Sequence, residues 1–237
     1  RAQLAFNKDQ YKFAKRLFQP STSSFSIDKE ETEAHFQSAY SDNTRDFSFS
    51  PPPGLPRPPP PAYPFDEKFV SRAHFDKILK KKSSGSKPGP YGISYKVYKL
   101  FPSAAGKLFI QCARVRREKK PPSCWGHAYM IMLTKENRPT NHAEHLRNIA
   151  CSDTAGKMFW SCELSKLGPF LTKNKYIDPT INKAAIPGVP GCLEHSFTLM
   201  EALQNAKRNK RQIAVTLTDI RNAYGSVKHN LIQFALA

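Results

Sequence analysis

This chain is short of acidic residues: 19 Asp and Glu stand against 37 Lys and Arg in 237 residues, a formal net charge of +18. The deficit deepens along the chain, since residues 83–237 hold 23 Lys and Arg but only 9 Asp and Glu, and no acid follows Asp219. Also missing is any run close to the ~18 consecutive apolar residues that a membrane-spanning helix needs. No signal-peptide pattern opens the chain, so a membrane partner is not expected. The five cysteines, Cys112, Cys124, Cys151, Cys162 and Cys192, include no Cys-x-x-Cys pair. Reduced thiols of an intracellular protein are therefore expected, not a zinc site. His142 and His145 have ligand-like spacing but no cysteine close by, and read as a polar loop pair.

What the chain does have is a one-sided excess of positive charge. Solubility alone does not require such an imbalance, whereas a polyanion such as nucleic acid is matched by it. With 39% hydrophobic residues, the length suffices for one large or two small globular domains around a buried core.

Local patterns then divide the chain. Residues 3–18 space Leu4, Phe6, Tyr11, Ala14, Leu17 and Phe18 at roughly helical intervals between basic residues, predicting a short amphipathic helix that packs by its apolar face. A second helix is predicted over 26–40, capped by Ser26 or Asp28 and with acids in its first turn. Residues 50–64 hold nine of the twenty prolines. Lacking backbone donors and with φ fixed, they predict an extended polyproline-type linker, a spacer more than a ligand for SH3- or WW-type domains.

A third helix is predicted over 65–82, with Phe69, Val70, Ala73, Phe75, Ile78 and Leu79 on its apolar side and lysines at its C-terminal end. Tightly packed glycines and prolines in 83–93 make a loop whose backbone can approach another chain closely. Two basic helical stretches broken at Pro102 follow over 93–117, then strands over 125–135 and 145–151. From 193 to 211, Leu193, Phe197, Met200, Leu203 and Ala206 share one helical face, expected to pack beneath the strand that comes next.

That strand is read from Ile213, Val215 and Leu217, which alternate with small or polar residues and lead to Asp219. A carboxylate at a strand end can ligate a divalent ion while the loop beyond leaves room for substrate. Asp219 equally suits the N-cap of a helix starting near Asn222. Spacing alone leaves both readings open.

Residues 215–229, Val-Thr-Leu-Thr-Asp-Ile-Arg-Asn-Ala-Tyr-Gly-Ser-Val-Lys-His, resemble the first catalytic palm motif of reverse transcriptases from non-LTR (LINE-like) retrotransposons. Three further blocks, in order, resemble the same enzymes. Lys-Pro-Gly-Pro-Tyr-Gly-Ile (87–93) is similar to the Ser-Pro-Gly-Pro-Asp-Gly-Ile segment at the base of the fingers, with Tyr91 where relatives carry Asp, a change that removes a bracing carboxylate. Arg147-Asn-Ile and Thr-Ala-Gly-Lys-Met-Phe (154–159) are similar to the fingers hairpin, preceded by Lys135 at the end of its first strand. Residues 182–197 resemble the glycine-rich block ending in Glu-His, with Asn182 in place of Gln. The resemblance covers roughly residues 83–237 and touches the first 82 only loosely.

It implies an α+β fold: the fingers and part of the palm of a right-hand polymerase over 65–237, preceded by a helical extension (1–49) and the Pro-rich linker (50–64). It further implies an RNA-directed DNA polymerase working by two-metal nucleotidyl transfer, with RNA template, DNA primer and dNTP as partners, Mg²⁺ as cofactor, and a place in cytoplasm and nucleus.

Asp219 would be the catalytic, metal-binding aspartate. Arg147 and Lys157, on the fingers strands, would offset the triphosphate charge, and the backbone of Ile220, Arg221 and Asn222 would lie along it. Tyr224 would be the steric gate against a ribose 2′-hydroxyl, with Gly225 where many relatives have Asp. Lys87, Gly89, Lys135, Gly188 and Gly191 would approach template or primer. Two-metal chemistry needs further carboxylates, and the Tyr/Phe-x-Asp-Asp hairpin that supplies them is absent from these residues. The expectation is an N-terminal piece of such an enzyme, inactive by itself. The alternative is a noncatalytic nucleic-acid-binding protein derived from a retroelement. A Pro-rich adaptor is a third option.

Overall fold

The computed structural model describes residues 27–54, 58–135, 141–178, 180, 191–219, 223 and 225–236. Among these are seven α-helices and one two-stranded antiparallel sheet, an α+β composition. The helices are α1 (Lys29–Tyr40), α2 (Arg72–Lys81), α3 (Tyr95–Leu100), α4 (Pro102–Glu118), α5 (Thr154–Lys173), α6 (Gly191–Arg208) and α7 (His229–Leu236). The strands are β1 (Ala128–Thr134) and β2 (Leu146–Ser152). The predicted helix at 3–18 lies outside the described residues. No described helix is long and apolar enough to cross a membrane.

The chain forms two compact units. The larger comprises Ser50–Ile131 and Ala150–Asp219, the smaller Arg1–Phe49, Met132–Ile149 and Ile220–Ala237.

The core of the larger unit is helical. Phe75 and Leu79 of α2, Ala105, Leu108, Cys112 and Val115 of α4, and Ala155, Met158, Phe159 and Cys162 of α5 are buried in one cluster with Val70, Tyr95 and Trp125. Each helix contributes positions three or four apart, so its stripe faces the others. The Phe69 ring stacks on Phe159 at 6.1 Å and meets Phe109 at 5.8 Å. Burial pushes the thiols of Cys112 and Cys162 up to about 12, which keeps both protonated as packing groups of the core.

Helix boundaries follow their caps. Asp28 accepts from the Glu30 and Glu31 amides and starts α1. Helix α2 begins seven residues later than periodicity predicts, because Ser71 caps the His74 amide, while Phe69 and Val70, ahead of the helix, serve the core. Pro102 is the first residue of α4, where a missing N–H costs nothing. Helices α4, α5 and α6 are each followed by a lysine in the left-handed region: Lys119 (φ 54°), Lys175 (φ 58°) and Lys210 (φ 49°). After α5 and α6, Tyr176 and Arg211 then donate back to Leu171 and Ala206, the bonding that closes a helix through a left-handed residue.

Three expectations are corrected. Residues 211–219 carry no regular secondary structure and are exposed, Leu217 at 86%. A strand must pair its backbone groups, and no described segment pairs with this one. Helix α6 forms, but Leu193, Phe197, Met200 and Leu203 are exposed and Ala206 alone of its predicted face is buried. The Pro-rich segment turns at Pro53–Gly54, with Gly54 at φ 83°, and it is fastened: the Tyr176 hydroxyl donates to the Pro59 carbonyl at 2.8 Å, and Asn174 pairs with the backbone of Tyr63 at 2.9 and 3.0 Å.

In the smaller unit, Asp42 is the hub. Its carboxylate accepts from the His229 amide (2.8 Å), the Thr44 amide (3.0 Å) and the Thr44 hydroxyl (2.8 Å), and lies 3.0 Å from His229 Nδ1 and 3.6 Å from Lys228 Nζ. It thereby caps α7 from a point far away in sequence. Tyr40 donates to Asn148 Oδ1 at 2.9 Å, and the Phe49 and Phe234 rings meet at 5.1 Å.

Phe75→Ala, at a fully buried side chain, is expected to destabilise the larger unit by about 3–5 kcal/mol in urea unfolding. The bonds from His229 and Thr44 hold the Asp42 carboxyl far below its ordinary value of 3.8. A depressed carboxyl stabilises the fold above its unfolded pKa and loses that contribution as pH falls through the folded one. The docking of α7 should therefore persist at pH 5 and weaken only well below pH 4, read by NMR of His229, and Asp42→Asn should remove that acid dependence.

Candidate functional site

The loop at 87–92 is built to come close to its neighbours. Pro88 and Pro90 fix two φ angles around Gly89, and a turn from the Gly89 carbonyl to the Gly92 amide (3.0 Å) closes with Gly92 at φ 72°, a region that favours glycine. Gly89 is buried. A Cβ there would lie 2.5 Å from the Ser152 carbonyl oxygen and 2.6 Å from Cα and N of Asp153. Only a glycine lets the loop seat against the end of β2 and the start of α5.

That start is held by Asp153, a buried carboxylate that accepts from the amides of Ala155 (2.9 Å) and Gly156 (3.3 Å). Gly156 in turn has its Cα face against Trp125, where a Cβ would come within 3.1 Å of the indole's own Cβ. The Asp153 charge adds to burial in pushing Tyr95 up to about 12. One turn into α5, the ammonium of Lys157 donates to the Lys87 carbonyl at 3.1 Å.

The base of β1 completes the junction. Tyr129 donates to the Pro88 carbonyl at 2.9 Å, and the Tyr91 hydroxyl lies 2.9 Å from His127 Nδ1 with the two rings stacked at 6.4 Å. Tyr91, expected to leave the loop without its carboxylate brace, thus braces it by a different bond.

Lys87, Gly89 and Lys157 are therefore brought together in the larger unit. Lys157 sits on helix α5, not on a strand as predicted. The Asp153 cap and the spacing of Ala155, Met158, Phe159 and Cys162 are the helix signals that point to it. Arg147 is exposed on β2, in the smaller unit. Lys135 closes the hairpin: its amide donates to the His145 carbonyl at 2.9 Å and its ammonium to the Glu144 carbonyl. The rings of His142 and His145 meet edge to face at 5.4 Å. Gly191 is the first residue of α6. Gly188, Ile220, Arg221, Asn222 and Tyr224 lie outside the described residues.

Asp219 is exposed, beyond the end of α6. Among the described residues no group of three or more His, Cys, Asp or Glu is placed to hold a metal ion. Magnesium is commonly held by one or two carboxylates together with substrate phosphates and water. Asp219 would be one carboxylate of that kind, and no further pair of acidic or metal-ligating side chains stands with it among the described residues.

Compared with known proteins, the chain matches no family model and no curated protein.

Gly89→Ala should force the loop off α5 and lower stability by about 1–3 kcal/mol, the cost of overpacking a tight contact. Faster protease cleavage within 83–93 and a lower urea midpoint are the readouts.

Proposed function

We propose that this chain is the fingers and first palm segment of an RNA-directed DNA polymerase of the non-LTR retrotransposon kind, which binds primer and template but does not synthesise DNA by itself. What supports this most is one juxtaposition. Two segments that resemble fingers motifs, 87–93 and 154–159, lie far apart in sequence yet meet through the contact of Gly89 with Asp153 and the bond from Lys157 to Lys87. The net charge of +18 suits a nucleic-acid partner.

In this reading the exposed Lys87 and the half-buried Lys157 line a basic surface, with the loop backbone held close by Gly89. Fixed ammonium groups attract phosphates without reading base sequence. Asp219 would add a single ligand to Mg²⁺, the ion that in such enzymes activates the attacking hydroxyl and neutralises the triphosphate. No catalytic step follows from this one carboxylate.

The alternative is a noncatalytic nucleic-acid-binding protein derived from a retroelement; the exposed Asp219, in no group of three acidic or metal-ligating side chains among the described residues, is compatible with both. Both readings predict binding, and they part on synthesis within a longer chain.

The 237 residues should bind an RNA–DNA primer–template with an affinity that falls steeply with salt. Lys87→Ala should reduce the slope of log K against log salt by about 0.9, one phosphate contact on a duplex. Primer extension with dNTP and Mg²⁺ should yield no product. Absence of binding at low salt would refute the proposal, and templated synthesis would refute its claim of inactivity.

A further inference from the structure

The Pro-rich segment ends in a cleft that none of the motifs above includes. Its last residues lie against the C-terminal half of α5, where a space of about 250 Å³ is lined by Tyr63, Phe65, Lys166, Pro169, Phe170 and Lys173. That is smaller than the ~300–1,000 Å³ typical of drug-sized pockets, so it has room for one flat ring at a time.

The walls are fixed in place. Asn174 holds the Tyr63 backbone through both its N–H and C=O, and Tyr176 holds Pro59. Phe65 stands edge-on to Phe170 at 5.3 Å and Phe170 meets Tyr176 at 5.9 Å. The Lys166 ammonium donates to the carbonyls of Asp66 and Lys68 and lies 5.1 Å from the Phe65 ring centre. Asp66 also lines the cleft, and its carboxylate, 3.8 Å from that ammonium, has its charge offset there. At the rim, Tyr63 is 48% exposed, and the Lys173 ammonium sits over one face of its ring, 3.8 Å from the ring centre.

We propose that the Tyr63 edge of this cleft takes one base of a single-stranded nucleic acid, stacked on the ring face opposite Lys173, with its phosphate drawn to the Lys173 ammonium. The inference rests on the nucleic-acid reading above and adds a second contact point for the same class of partner. Exposed aromatic faces beside ammonium groups are how single strands are held without sequence preference. A proline-rich peptide is a poorer fit. The hydrogen-bonding groups that would grip its backbone, Asn174 and Tyr176, are already engaged by the chain's own Pro-rich segment.

The test is anisotropy of fluorescent dT and rU oligonucleotides titrated with the 237-residue chain. Tyr63→Ala, which leaves the backbone bonds to Asn174 in place, should weaken binding by about 5- to 150-fold, the worth of one base stacked on an aromatic ring. Tyr63→Phe should restore it. Lys173→Ala should lower the salt slope by about 0.7, one phosphate of a single strand. If Tyr63→Ala binds as the parent does while Lys87→Ala still loses binding, the cleft proposal fails and the nucleic-acid reading stands. If the parent binds no oligonucleotide or duplex, both fail. Displacement of the oligonucleotide by an uncharged proline-rich peptide would also overturn the assignment.

Discussion

The close approach of Gly89 to the first turn of α5 is the constraint on which the candidate site depends. Backbone can come within 2.5 Å of where a Cβ would stand only if no Cβ is there. The same contact requires α5 to begin where it does, and Asp153 ensures this by satisfying the Ala155 and Gly156 amides. Lys157 is then aimed back at the Lys87 carbonyl, while Tyr129 reaches Pro88 from β1. Loop, strand and helix are locked by two bonds to loop carbonyls, by the Tyr91–His127 contact and by the absence of a side chain at Gly89. Lys87 therefore stays exposed on a supported loop, the combination a phosphate-binding surface needs.

The rest of the larger unit serves as ballast for that junction. Its core is made almost wholly of helix stripes and aromatic rings, and the hairpin adds little to it. A two-stranded hairpin is at best marginal alone, so its base is steadied by Tyr129, His127 and the loop. The apolar face of α6 and the alternating residues at 211–219 stand apart from this economy, because they expose Leu193, Phe197 and Leu217 to solvent. In the proposed reading these are the parts that a completed palm would cover.

Much of this was legible from local chemistry. The Asp28 cap, the break at Pro102, the two hairpin strands and the long helix over α6 each follow from a short pattern with a physical cause. What failed did so for reasons of context. The alternation of Ile213, Val215 and Leu217 is a genuine strand pattern, but pairing is not a local property. The resemblance to a fingers hairpin places Arg147 and Lys157 together on strands, whereas 155, 158, 159 and 162 spell a helical stripe and put Lys157 on α5. The bond between Tyr91 and His127 and the fastening of the Pro-rich segment by Asn174 and Tyr176 join residues distant in sequence, and no window along the chain contains both partners.

The most direct test of the central claim, that loop 87–92 and the start of α5 form one nucleic-acid-facing surface, is amide hydrogen exchange with and without an RNA–DNA primer–template. Slower exchange in 87–93 and 154–158 together, on adding the duplex, is the predicted result. Unchanged exchange in both segments while the duplex is bound elsewhere would contradict it.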